Sequence, residues 1–292
     1  LAPGRVKPHA LHFIQRILRV LARANIYRIM DTTDPGTENV SDGHRQPFKD
    51  HFSGHAGDYA RHRPDYPQAL FDWLASIAAS TGTAWDVACG NGQAAIGLAG
   101  QFRRVVASDA SAEQVRRAVA HPRVDYFVAR AEASGLAARS INLITVAQAA
   151  HWFDMAGFAR EVRRVARPGG VIAVWCYALA KVTPEIDDPV AVFYEKTLEP
   201  YWPPERDLIE DAYRTLPFPF DEIEPPPFEM VKSWTLDAFL SYLGTWSAYR
   251  RSVAAKRDDP LPALGERLAS HWGPGEREVR WPIHLRVGLV AS

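Results

Sequence analysis

Between residues 84 and 177, short apolar runs alternate with helical patterns, and this alternation restricts the possible folds more than any other feature of the sequence. Ala84–Ala88, Arg104–Ala107, Val124–Val128, Ile141–Ala147 and Val171–Tyr177 read as strands. Gln68–Ala79, the stretch from Gly92 to about Gly100, Ala112–Ala120 and Met155–Ala166 read as helices. A strand, a crossover helix and a further strand join with right-handed connectivity, which gives a parallel sheet with helices on both faces. The expected fold class is α/β, with a doubly wound, mostly parallel sheet of seven strands.

Beyond Tyr177 the alternation breaks. Glu199–Phe228 carries too many prolines for regular helices or central strands. Residues 179–226 therefore read as a Pro- and aromatic-rich insertion over the C-terminal strand ends. Residues 227–292 then complete the sheet: Glu229–Trp234 as a strand, Leu236–Ala248 and Leu261–Trp272 as helices, and Val279–Val287 as a last strand. Pro282 places that strand at an edge or bulge. Upstream, residues 1–30 form a basic amphipathic extension, either untethered or suited to a membrane surface or targeting role, and the polar stretch 31–48 is a linker. The remaining segment, 49–178, is the expected ligand-binding core.

Charge and cysteine content narrow the class of function. The 292 residues balance 34 Lys and Arg against 34 Asp and Glu, so no bulk positive charge is available to grip a nucleic-acid backbone. No run reaches the roughly 20 apolar residues of a membrane span. Two cysteines, Cys89 and Cys176, make no disulfide framework and suggest a reduced, cytoplasmic protein. No metal-ligating pattern is present. The expected partner is a small molecule, and the chain is expected to act as a monomer or homodimer.

Asp86-Val87-Ala88-Cys89-Gly90-Asn91-Gly92-Gln93 runs from a strand through two glycines into a helix. Gly90 and Gly92 let the backbone turn sharply and approach a ligand, while the helix start offers N–H groups to an anion. With Ala95 the segment also satisfies a relaxed dinucleotide fingerprint. The next strand ends in Asp109, and a carboxylate there can take both hydroxyls of a ribose. Its alternative role is to cap the following helix, but Ser111 can do that alone. Nothing in folding alone calls for an acid at this place. These residues fit NAD(P) and S-adenosylmethionine alike.

The segments D-V-A-C-G-N-G-Q at 86–93 and V-V-A-S-D-A-S at 105–111 resemble motifs I and II of the class I S-adenosylmethionine-dependent methyltransferases. Ala131-Glu132, the run Val146–Phe153 and the run Glu161–Gly170 continue that resemblance in order over roughly residues 49–177. Tyr59–Pro67 and Thr245-Trp246-Ser247 are similar to segments of the small-molecule branch that includes trans-aconitate-methyltransferase-like enzymes. The resemblance implies a Rossmann-like sheet and S-adenosyl-L-methionine as cofactor. It implies that the loop of Ala88, Gly90 and Gly92 holds the amino-acid end, with Asp86 near the ammonium. By the same resemblance Asp109 and Ala110 border the ribose, Ala131 and Glu132 line the adenine, and Gln148 passes beneath the sulfonium. Arg130 and Asn142 depart from the pattern, because relatives often carry acids at both places.

The implied reaction is methyl transfer to a small-molecule acceptor by in-line displacement, expected to be O-methylation of a carboxylate or other polar group. Acceptor sites in such sheets lie beyond the C-terminal strand ends, which places His151, Trp152 and Phe153 near the chemistry. His151 is either a base or a residue that shapes the loop, and Trp152 either a packing wall or a substrate contact. Arg63, with Tyr59, Arg61 and Tyr66, either clamps an anionic acceptor or anchors a lid. Trp246 either walls the acceptor pocket or packs in a core. Two other readings compete: an NAD(P)-dependent oxidoreductase, and a non-catalytic binding protein on the methyltransferase fold.

Overall fold

In the computed structural model the strands and helices follow the expected alternation, and the coordinates describe residues 63–256 and 258–291. The extension 1–30, the linker 31–48, Tyr59 and Arg61 lie outside the described residues, all of which belong to one compact unit, Phe48–Ser292. The first half runs α1 (Gln68–Ile77), β1 (Thr83–Val87), α2 (Gln93–Ala99), β2 (Arg104–Asp109), α3 (Ala112–Arg117), β3 (Val124–Val128), β4 (Ile141–Ala147), α4 (Met155–Val165) and β5 (Ala166–Tyr177). The second half runs α5 (Pro184–Val192), α6 (Arg206–Glu210), β6 (Asp221–Ile223), β7 (Phe228–Trp234), α7 (Leu236–Gly244), α8 (Ser247–Lys256), α9 (Leu261–Trp272) and β8 (Arg277–Leu289).

Among the described residues the sheet has eight strands, one more than the seven expected. Its order is β3-β2-β1-β4-β5-β8-β6, and β7 also pairs with β8. The five strands from β3 to β5 are parallel, so their C-terminal ends share one edge, whereas β8 runs antiparallel to β5, β6 and β7. The extra strand, β6, lies inside the stretch expected as an insertion, where three residues between prolines suffice for a short edge strand.

Alternate residues of each strand divide the core in two. Val171, Ala173, Trp175 and Tyr177 of β5 face α1, α2 and the C-terminal helices, while Ile172, Val174 and Cys176 face α4. In α4, Asp154 caps the first turn by accepting from the Ala156 amide at 3.1 Å, and Phe158, Val162 and Val165 are fully buried. Each such side chain contributes about 1.5–3 kcal/mol.

Of the two places expected for Pro282, an edge or a bulge, the edge fails and the bulge fits. β5 flanks Ile283–Leu289, and β7 flanks Arg277–Ile283 from the other side. The register slips by one between the pairs Tyr177–Ile283 and Lys181–Arg280. Backbone groups alternate sides along a strand, and Arg280 exchanges both its bonds with Lys181. The absent donor of Pro282 therefore points to that same side, between Tyr177 and Lys181, where the neighbouring chain has left the ladder. The helix expected over 236–248 is two helices. It breaks at Thr245, whose hydroxyl donates to the Tyr242 carbonyl at 2.7 Å, and Trp246 turns inward before α8 begins.

Candidate active site

The bend after β1 uses three left-handed residues: Ala88 (φ 53), Gly90 (φ 55) and Gly92 (φ 91). Gly92 is required by close approach as well as by its dihedral, since a Cβ there would lie 2.2 Å from the Tyr126 hydroxyl. At Gly90 a Cβ would meet nothing nearer than Gln114 Oε1 at 4.0 Å among the described residues, which leave the tip of the bend open. Ala88 keeps a left-handed backbone without being glycine, a strain of about 1–3 kcal/mol of the kind that collects at ligand sites.

Asp109 closes the bend from the neighbouring strand. Its carboxylate accepts the Gly90 amide at 2.9 Å and the Ser111 amide at 2.8 Å. Ser111 caps α3 through the Gln114 amide, as expected. Asp109 therefore has a structural task as well, contrary to the expectation that folding makes no use of the acid.

Asp86 is fully buried one turn of the pleat below. Thr145, its register partner on β4, donates to Oδ1 at 2.9 Å, the Ala95 amide at the start of α2 also acts on the carboxyl group, and Oδ2 is buried with no close hydrogen-bond partner among the described residues. Burial raises its pKa to about 7 against the pull of the Thr145 hydroxyl, and the Asp109 charge adds to the rise. An orphaned carboxyl oxygen beneath an open glycine bend suits an ammonium or a water-bridged donor.

The remaining polar groups follow β3 and β4. Ala131 is buried, and Glu132 accepts the Asp154 amide at 3.1 Å, tying the loop after β3 to the start of α4. Ala110 is half-buried beside Asp109. Gln148 is left-handed (φ 57), donates from Nε2 to the Tyr177 carbonyl at 3.1 Å, and holds a buried Oε1 without a partner among the described residues. His151 and Trp152 lie in a 3₁₀ turn, Ala150–Trp152, with ring centres 4.8 Å apart. His151 Nδ1 lies 2.8 Å from the Tyr213 hydroxyl. Burial, aided by the Arg206 charge, lowers the His151 pKa to about 3, so the imidazole is neutral and weakly basic.

Arg63 donates from Nη1 to the Tyr177 hydroxyl at 2.6 Å, with its guanidinium 5.5 Å from the Tyr242 ring centre. Gln93, at the start of α2, donates to the Pro64 carbonyl at 2.7 Å. The stretch after Arg63 is thereby fastened to the glycine bend. Trp246 is only 5 % exposed and packs against Tyr194, Trp202 and Tyr242 in the core.

Tyr126, Thr145, Tyr177, Tyr213 and Arg206 join this neighbourhood without having been singled out in the sequence. Thr145 was within reach of sequence reasoning, because a polar residue inside an otherwise apolar central strand calls for a buried partner. Tyr213 and Arg206 lie in the proline-rich stretch, where no periodicity marks them. Among the described residues no group of three His, Cys, Asp or Glu is placed to hold a metal, and no helix is long and apolar enough to cross a membrane.

Residues 85–174 match the model of a methyltransferase domain. A candidate methyltransferase of Dictyostelium discoideum is 33% identical over 247 residues, covering 82% of this chain and 94% of that protein. An uncharacterised methyltransferase of Mycobacterium tuberculosis is 30% identical over 232 residues, covering 75% of this chain and 86% of that one. Among solved structures, a candidate type II methyltransferase from Anaeromyxobacter dehalogenans is 48% identical with a TM-score of 0.75, covering 78% of this chain and 98% of that chain.

Proposed function

The chain belongs to the class I S-adenosylmethionine-dependent methyltransferases, and on that premise we propose that it methylates a small molecule, at an oxygen of a carboxylate or another polar group. The observation that carries the reading is the row of polar groups at the ends of β1, β2 and β4: Asp86 and the bend at Gly90, Asp109, and Gln148 with its buried Oε1. When bound, S-adenosylmethionine supplies an activated methyl group and a neutral thioether leaving group.

The chain's own residues bind, orient and exclude water. Asp109 shares its two oxygens between the backbone amides that it holds and the ribose hydroxyls, since a carboxylate has about four acceptor sites. Asp86 faces the ammonium as a carboxylate, and the start of α2, which follows the Ala88–Gly92 bend, faces the cofactor's own carboxylate. Ala110 borders the ribose, Ala131 and Glu132 flank the adenine, and Gln148 passes beneath the sulfur. Holding acceptor oxygen, methyl and sulfur in line is worth roughly 7–11 kcal/mol. A carboxylate acceptor needs no general base, which agrees with a neutral, weakly basic His151 that orients the loop through Tyr213. Arg63 and Trp152 border the acceptor, and the likeness of the Tyr59–Pro67 segment to the trans-aconitate-methyltransferase-like branch supports an acidic one.

The test is a labelled methyl donor offered with carboxylic acids, phenols and amines. The reading expects label in an alkali-labile ester or in an ether. Label confined to amines, or no transfer to any of the three classes, overturns it.

A further inference from the structure

Arg206, on the first turn of α6, is half-buried and has no carboxylate partner among the described residues. Its guanidinium lies 4.8 Å from the ring centre of Trp202 and 5.4 Å from that of Tyr194. Nε donates to the Tyr194 hydroxyl at 2.7 Å, and that hydroxyl donates to Glu210 at 2.8 Å, so Glu210 reaches the arginine only through a phenol. The head group is thus held by two aromatic side chains, while neither Nη group makes a hydrogen bond to the described residues. Most of the entropy cost of fixing a long side chain has been met before any ligand arrives.

The neighbours of Arg206 give this charge its context. Helix α6 packs on the Ala150–Trp152 turn, and the Ile209 carbonyl lies 3.9 Å from Cys176 Sγ near the end of β5. Arg206 therefore lies over the C-terminal ends of β4 and β5, close enough for its charge to act on His151. A fixed, partly desolvated cation with two unused donors in one plane matches a carboxylate in a bidentate pair.

We propose that Arg206 grips a carboxylate of the methyl acceptor beside His151 and Trp152, and that this carboxylate is an anchor distinct from the atom methylated. A bidentate guanidinium ties up both oxygens and withdraws electron density from them, which would slow attack by the group that it holds. The acceptor then carries a second nucleophilic oxygen. This inference rests on the methyl-transfer reading and narrows its substrate class.

The test uses the full chain saturated with S-adenosylhomocysteine. Citrate, succinate, benzoate and phenyl phosphate are titrated against it, each acid alongside its neutral methyl ester, with tryptophan fluorescence as the readout. At least one di- or tricarboxylate binds about tenfold or more tighter than its ester, benzoate shows the smaller gain of a single anion, and R206Q abolishes the preference. R206K, which keeps the charge but not the planar fork, retains part of it, and S-adenosylhomocysteine affinity is unchanged in both variants. Acids binding no better than their esters, a preference that survives R206Q, or phenyl phosphate outcompeting every carboxylate overturns the proposal. A wild-type chain that fails to bind S-adenosylhomocysteine overturns the methyl-transfer reading itself, and this inference with it.

Discussion

The carboxylate that ends β2 holds the bend that ends β1: Asp109 accepts the Gly90 amide at 2.9 Å through Oδ2 and the Ser111 amide at 2.8 Å through Oδ1. Removing it leaves two amides without their acceptor, at a cost of about 1–3 kcal/mol for each that stays buried. Asp109→Ala is expected to lower the unfolding free energy by about 2 kcal/mol or more, and Asp109→Asn, which keeps one acceptor oxygen, by less. Urea denaturation of the three proteins checks this, and equal midpoints would contradict a structural role for the acid.

Asp86 makes cofactor binding depend on pH. Its folded-state pKa of about 7 lies above the ordinary 3.8, so near neutrality the ligand-free chain carries a partly protonated carboxyl. An ammonium favours the charged form, and binding should release protons. S-adenosylhomocysteine affinity should weaken as pH falls below 7, by nearly tenfold between pH 7.5 and 6 on the logarithmic scale of such shifts. The same raised pKa means that the free fold loses stability as pH rises from about 4 to 7, because the folded form binds more protons there. Calorimetry at a series of pH values checks the coupling, and an affinity flat across pH 6–8 with no proton release would contradict it.

His151 should stay neutral across the physiological range. Burial and the Arg206 charge hold its pKa near 3, so its ring proton resonance should not shift between pH 5 and 8. A titration midpoint near 6.5 would mean that the imidazole is open to water and available as a base.

β1, β4 and β5 were legible in the sequence because they are buried on both faces and mostly apolar, and the edge strand β3 because Val124, Tyr126, Phe127 and Val128 make a short apolar and aromatic run. Val124–Val128 and Ile141–Ala147 fall where the pattern placed them. β6 was not legible: three residues between prolines carry no period, and only the open flank of β8 gives them a partner. The break at Thr245 was hidden because Trp246 continues the helical spacing and is drawn out of it by the aromatic cluster of Tyr194, Trp202 and Tyr242. In the site, the glycines and acids stood out because they break the apolar rule. Arg206, Tyr213 and Tyr177 did not, since their roles come from contacts between segments far apart in the chain.

Calorimetric titration of S-adenosylhomocysteine into the wild-type chain and a folded Asp109→Ala variant bears most directly on the account. The wild type should bind in the micromolar range, about −8 kcal/mol. The variant should lose on the order of a hundredfold in affinity, the worth of two charge-assisted hydrogen bonds at about 1.5 kcal/mol each. Unchanged affinity in a folded variant would place the ribose elsewhere and contradict the assignment on which the site rests.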